Sequence, residues 1–170
     1  MEDLFFKRRS IRKFIKDKNV EDEKLEYILK SAMYAPSANN TQNWEFIIVK
    51  NKNTFNTIMN YHPYSKMLET ANIAIVVCGD ISSEAKERYW IQNCSAAIEN
   101  MLLSATIQGL GSIWISVHPR EDRVENTRKL FNIPEHINPL GIVAIGYIDE
   151  NVKLYTQDRF DKNKIHYESY

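Results

Sequence analysis

Two short stretches hold most of the side chains that could do chemistry in this chain. The segment KRRSIRKF (7–14) gathers Arg8, Arg9, Arg12, Lys7 and Lys13 around Ser10. A guanidinium presents a planar fork of donors suited to phosphate, and a serine hydroxyl adds a neutral donor. The other reading of this segment is a solvated basic arm. The second stretch, PSANNTQNW (36–44), is rich in amides and carries no charge. Amides donate and accept without charge, which suits a heterocycle edge with alternating C=O and N–H groups. The same residue types also build ordinary turns, and both readings stay open. Trp44 reads as core rather than as a stacking platform. Arg159, in DRFDKNKIHY, is a distant candidate for the same anion or a plain surface arginine.

Several common site types are missing from the sequence. There is no Cys-x-x-Cys pair, and His62, His118, His136 and His166 do not fall at metal-ligand spacing. No Gly-x-Ser-x-Gly elbow is present. QGLGSIW lacks the third glycine of a dinucleotide fingerprint and joins a helix to a strand, the reverse of that motif. It reads as a helix-terminal glycine followed by a strand. With no nucleophile–base pair and no metal cluster, an enzyme built from these residues has to borrow its reactivity from a cofactor. No catalytic side chain and no metal ligand is assigned.

The elements that must position these segments follow from hydrophobic periodicity. Leu25, Ile28, Leu29, Ala32 and Met33 share one face of a helix over 21–34, ended by Pro36. FIIV (46–49) and NIAIVVCG (72–79) read as strands, with a weaker helix over 53–60. The spacing predicts one long helix from 84 to about 108, apolar on more than one face and so buried on several sides. A strand over 111–117, a helix over 121–131 and a strand over 140–148 complete the pattern. Helices alternating with apolar strands predict a layered α/β or α+β domain, a single unit over 1–170. The last twenty or so residues have no clean period, as expected of a tail that packs on a partner chain.

The bulk numbers set the class. A chain of 170 residues that is 44% hydrophobic and 26% charged has the composition of an ordinary globular domain. A formal net charge of zero gives no general pull toward nucleic acid or membrane. The opening MEDLFFKRRS lacks the apolar core and cleavage site of a signal peptide, and Cys78 and Cys94 make no disulfide framework. A cytoplasmic protein is expected.

Taken in order, RRSIRKF, SAMYAPSANNTQNWEFIIV, NIAIVVCGD, WIQNCSAAIENMLLSATIQGLGSIWISVHP, LGIVAIGY and RF…IHY resemble the FMN-dependent nitroreductase family over essentially the whole chain. The resemblance implies an α+β fold with a mixed central sheet flanked by helices. It also implies a homodimer whose C-terminal tail extends onto the partner, with FMN at the subunit interface. In family terms, Arg8, Arg9, Ser10 and Arg12 hold the phosphate and ribityl chain, and Arg159 closes on the phosphate. Pro36, Ser37, Ala38, Asn40 and Gln42 reach the flavin of the neighbouring subunit. Ile115 and Ser116 approach the ring near N5, and Lys66 matches a basic position beside it. The implied activity is ping-pong hydride transfer from NADH or NADPH through N5 to a nitroaromatic, quinone or similar acceptor. Rival readings are a non-catalytic FMN-binding module, or the same scaffold turned to reductive dehalogenation or flavin consumption. Two departures from the family pattern stand out. Asn43 replaces a common proline and is expected to loosen the loop. Ser116 replaces a common glycine and is expected to alter access to the ring.

Overall fold

Alternation along the strands sorts the apolar side chains into two layers, one on each face of a sheet. The computed structural model describes residues 4–154 and 158–170; residues 1–3 and 155–157, part of the expected tail, lie outside it. The elements, in chain order, are α1 (Leu4–Lys7), α2 (Asp22–Met33), β1 (Trp44–Val49), α3 (Lys52–Tyr61), β2 (Ile73–Asp80), α4 (Glu84–Glu87), α5 (Trp90–Ile107), β3 (Gly111–Ser116), α6 (Glu121–Phe131) and β4 (Ile137–Gly146). Three-residue and four-residue 3₁₀ turns sit at Ala38–Asn40, Lys66–Glu69 and Lys162–Lys164.

The strands lie in the order β1-β2-β4-β3. Ile73, Ile75, Val77, Val143 and Ile145 face one layer, filled by α2 and α5. Ala74, Val76, Cys78, Ile142 and Ala144 face the other, filled by α3, Ile11 and Phe14. Both faces are covered, so β2 is buried over seven consecutive residues, which explains its unbroken apolar run. Every pairing among the four strands is antiparallel. The expected mixed character is therefore confined to a single parallel bridge, Ser10 to Ser112, where the N-terminal arm meets the outer edge of β3. A bridge of that kind needs no crossover connection, so nothing in the helix–strand alternation distinguishes it from a true parallel strand.

The expected helix over 84–108 is two helices. Tyr89 (φ −126°, ψ 12°) leaves the helical region between α4 and α5. The break turns Trp90 inward, where its ring lies over Gly79: a Cβ there would come within 2.7 Å of Trp90 Cε3. The exposed residues of α4 have no comparable anchor apart from Lys86, which is ion-paired with Asp80. From Trp90 onward the apolar reading holds, with Cys94, Ala97, Ile98, Met101 and Ala105 buried. The helix ends as the glycine reading requires. Gly109 is left-handed (φ 72°), Leu110 N–H donates to Ala105 O (2.9 Å) and Gly109 N–H to Thr106 O (3.1 Å).

Candidate functional site

The basic arm is not a solvated tail. Ile11 N–H donates to Ser112 O (3.0 Å), Phe14 N–H to Thr70 Oγ1 (3.2 Å) and Ile15 N–H to Tyr147 O (2.8 Å). Ile11 and Phe14 are buried between the sheet and α3, which leaves Ser10 and Arg12 facing outward. Arg8, Arg9, Ser10, Arg12 and Arg159 thereby line one cleft of about 380 Å³. No carboxylate lines it. Arg8 is partly engaged, with Nε 3.5 Å from Glu99 Oε1, and Arg9 Nη1 donates to Arg8 O (2.7 Å). Arg159 enters from residues 158–170, all of which are exposed on this chain. The cleft has the donor set for a phosphate: guanidinium forks and a hydroxyl, with no carboxylate in its lining.

Arg12 also lines a second cleft, of about 440 Å³, at the end of β3. Its walls include Lys66, Ile113, Trp114, Ile115 and Ser116. The end of β3 is held by two donors on one acceptor. Ser116 O receives His62 Nε2–H (2.8 Å) and Arg123 Nη1–H (3.2 Å). Tyr64 N–H donates to His62 Nδ1 (3.3 Å), which assigns the ring proton to Nε2. Burial pushes the His62 pKa below its ordinary value, and the Ser116 bond only partly offsets this, so the ring is neutral at pH 7. Gly141, opposite Ser116, has to be glycine: a Cβ there would fall 2.3 Å from Trp114 Nε1. That buried Nε1–H has no partner within the chain, one of four such side-chain atoms among the described residues.

The amide-rich loop lies elsewhere. None of Pro36, Ser37, Ala38, Asn40 or Gln42 lines either cleft of this chain. Its composition answers first to its backbone, because Asn39, Asn40 and Gln42 all have positive φ (54°, 52° and 44°). Asparagine adopts that region more readily than most residues with a Cβ. The loop is pinned by Asn93 of α5. Asn93 Oδ1 accepts from Ala38 N–H (2.9 Å), and its Nδ2 donates to Thr41 Oγ1 (3.0 Å) and Asn43 Oδ1 (2.9 Å). Gln42 donates through N–H to Ser37 Oγ (3.1 Å) and through Nε2 to Asn40 Oδ1 (2.8 Å).

Asn43 does not loosen this loop. It is 3% exposed, and its Nδ2 donates to Asp80 O (3.1 Å) and Lys86 O (3.0 Å). A proline restrains its own φ, whereas this asparagine restrains the loop by joining it to α5 and to the β2–α4 turn. His62, Tyr64, Arg123 and Asn93 escaped the sequence reading. Asn93 left one signal, a polar residue on the stripe of Trp90, Cys94 and Ala97. The pairing of His62 with Ser116, 54 positions apart, left none.

Among the described residues, no group of three or more His, Cys, Asp or Glu side chains is placed to hold a metal ion, and no helix is long and apolar enough to cross a membrane.

The model of the nitroreductase family matches residues 6–62 and 57–147. A protein of Methanothermobacter thermautotrophicus, provisionally named NADH dehydrogenase/NAD(P)H nitroreductase, is 45% identical over 96% of this chain and 84% of its own. A protein of Archaeoglobus fulgidus with the same provisional name is 41% identical over 98% and 97%. The solved structure of an FMN-dependent nitroreductase from Clostridium difficile superposes with a TM-score of 0.90 at 35% identity, covering 100% of both chains. With its four-stranded sheet, its arginine-lined cleft and these matches, the chain belongs to the nitroreductase family.

Proposed function

We propose that this chain is an FMN-dependent NAD(P)H oxidoreductase acting as a homodimer, one domain per subunit, on nitroaromatics, quinones or similar acceptors. The observation that carries the reading is the run of two clefts joined at Arg12, arginine-lined at one end and apolar with Lys66 at the other. Phosphate fits the first by its donors, and a flat ring fits the second along Ile115 and Ser116. Bound FMN would supply the two-electron relay, accepting hydride from NAD(P)H and passing electrons to the acceptor.

The chain's own residues do the rest. Arg8, Arg9, Ser10, Arg12 and Arg159 hold the phosphate, with Glu99 yielding Arg8 as the anion arrives. Lys66 and Arg12 place positive charge beside the ring, which favours its reduced, anionic form. His62 fixes the Ser116 carbonyl, so the strand end keeps its position through turnover. Pro36, Ser37, Ala38, Asn40 and Gln42 serve the neighbouring subunit's ring. The reading rests on a loop held rigid by Asn93 yet remote from this chain's clefts. The tail, with Phe160 69% exposed, covers the partner. Two free, buried cysteines, Cys78 and Cys94, suit a reducing cytoplasm.

The purified protein is expected to be yellow, to release FMN on denaturation, and to bleach anaerobically with NADH or NADPH added separately. A colourless preparation that takes up no added FMN overturns the reading. Bound flavin that neither reductant bleaches replaces it with a binding module.

A further inference from the structure

The second cleft contains one cation that the cofactor reading does not use. Arg123, on α6, reaches Ser116 O with Nη1 at 3.2 Å. That carbonyl already has a neutral donor, His62 Nε2–H at 2.8 Å, so its satisfaction does not call for a second donor bearing charge. The Arg123 guanidinium carbon lies 5.4 Å from the centroid of the Tyr64 ring, and Tyr64 is 71% exposed. The Arg123 Nε atom is buried without a hydrogen-bond partner. Arg123 has no carboxylate partner among the described residues, because the adjacent Asp122 faces Arg120 (Oδ1 to Nε, 3.5 Å). With Arg12 and Lys66 the cleft carries three cations, and no carboxylate lines it.

We infer that Arg123 and Tyr64 form the acceptor-recognition corner of this cleft, selecting a planar aromatic acceptor that carries an anionic group such as a carboxylate. The inference rests on the oxidoreductase reading and names the substrate class of that site. Tyr64, exposed at the rim of the cleft, offers a ring for stacking the aromatic body beside the flavin held along Ile115 and Ser116. Arg123 is braced between a carbonyl and a ring, so its fork is already oriented and little freedom is lost when an anion binds. An acceptor with the same ring and no charge gains only the stacking.

The test is calorimetric titration of the oxidised flavoprotein with 4-nitrobenzoate and with methyl 4-nitrobenzoate, in wild type, Arg123→Gln, Arg123→Lys and Tyr64→Leu. Arg123→Gln is expected to weaken 4-nitrobenzoate about tenfold, the low end for losing a charge-assisted bond at a partly exposed site, and to leave the ester unchanged. Arg123→Lys restores part of the loss, and Tyr64→Leu weakens both ligands alike. Equal effects of Arg123→Gln on the acid and the ester, or none on either, overturn the inference. Anaerobic bleaching supplies the second arm. Unchanged rates with NADH and NADPH in Arg123→Gln support an acceptor role, whereas a selective loss moves Arg123 to the reductant's phosphates and overturns it. Failure of the wild type to hold or bleach flavin sinks the oxidoreductase reading, a result separate from the ratio of acid to ester affinity.

Discussion

The arm at 7–14 and the loop at 36–43 are both crowded with polar side chains, yet they dispose of their hydrogen bonds in opposite ways. In the loop the donors and acceptors meet one another or Asn93, and Asn43 is spent on the carbonyls of Asp80 and Lys86. In the arm it is the backbone that is tied down, to Ser112 and Tyr147, while Ser10 and Arg12 face an acid-free cleft. One region uses its polarity to build itself, and the other leaves Ser10 and Arg12 directed into a cleft. Composition made the amide-rich loop look the more unusual. Where the hydrogen bonds go shows that it is scaffold first.

The contrast is open to attack from its strongest side. Asn93→Ala strips partners from Ala38 N–H, Thr41 and Asn43 at once, and is expected to cost about 3 kcal/mol of stability. Denaturant melts of wild type and variant at one fixed protein concentration measure it, since the stability of the proposed dimer depends on concentration. A loss below about 0.5 kcal/mol, the range of an ordinary surface change, would show that the loop does not depend on this hub.

The arm should behave in the opposite way. Arg12→Ala is expected to leave the melt nearly unchanged and to weaken FMN binding by about 1.5–3 kcal/mol, the contribution of a bond to a charged group. Titration of FMN into the apoprotein reads this directly. Unchanged affinity in both Arg12→Ala and Arg8→Ala would remove the arm from the phosphate site. A large drop in stability with unchanged affinity would reverse the comparison altogether.

The smallest effect concerns His62, a buried polar group like Asn93 but one that titrates. Burial depresses its folded pKa below the unfolded value of about 6.5, so the unfolded state binds the extra proton first. Its contribution to stability is therefore present above about pH 6.5 and declines as pH falls toward the folded pKa. His62→Gln, which keeps a donor for Ser116 O, should flatten the stability difference between pH 7.5 and pH 5.5. An equally steep loss in the variant would assign that slope to other groups.

Much of the architecture was legible from local pattern. The helix over 22–33, the buried strands and the glycine that closes α5 all follow from periodicities of two or 3.6 and from one left-handed position, which act over a few residues. The break at Tyr89 was not legible, because an apolar run across 90–105 looks the same whether or not the preceding turn continues the helix. The chemistry of Arg8, Arg9, Ser10 and Arg12 was likewise readable as residue type, though a solvated arm fitted the same letters.

By itself, then, the sequence determined which elements form and which side chains could meet an anion, since both depend on neighbours along the chain. Only the tertiary structure decided that Arg12 faces two clefts, that Asn43 fastens a loop it was expected to loosen, and that His62 and Arg123 converge on one carbonyl. Those facts come from packing α3, α5 and α6 against a single sheet, and contacts between residues so far apart leave no periodic trace in the chain.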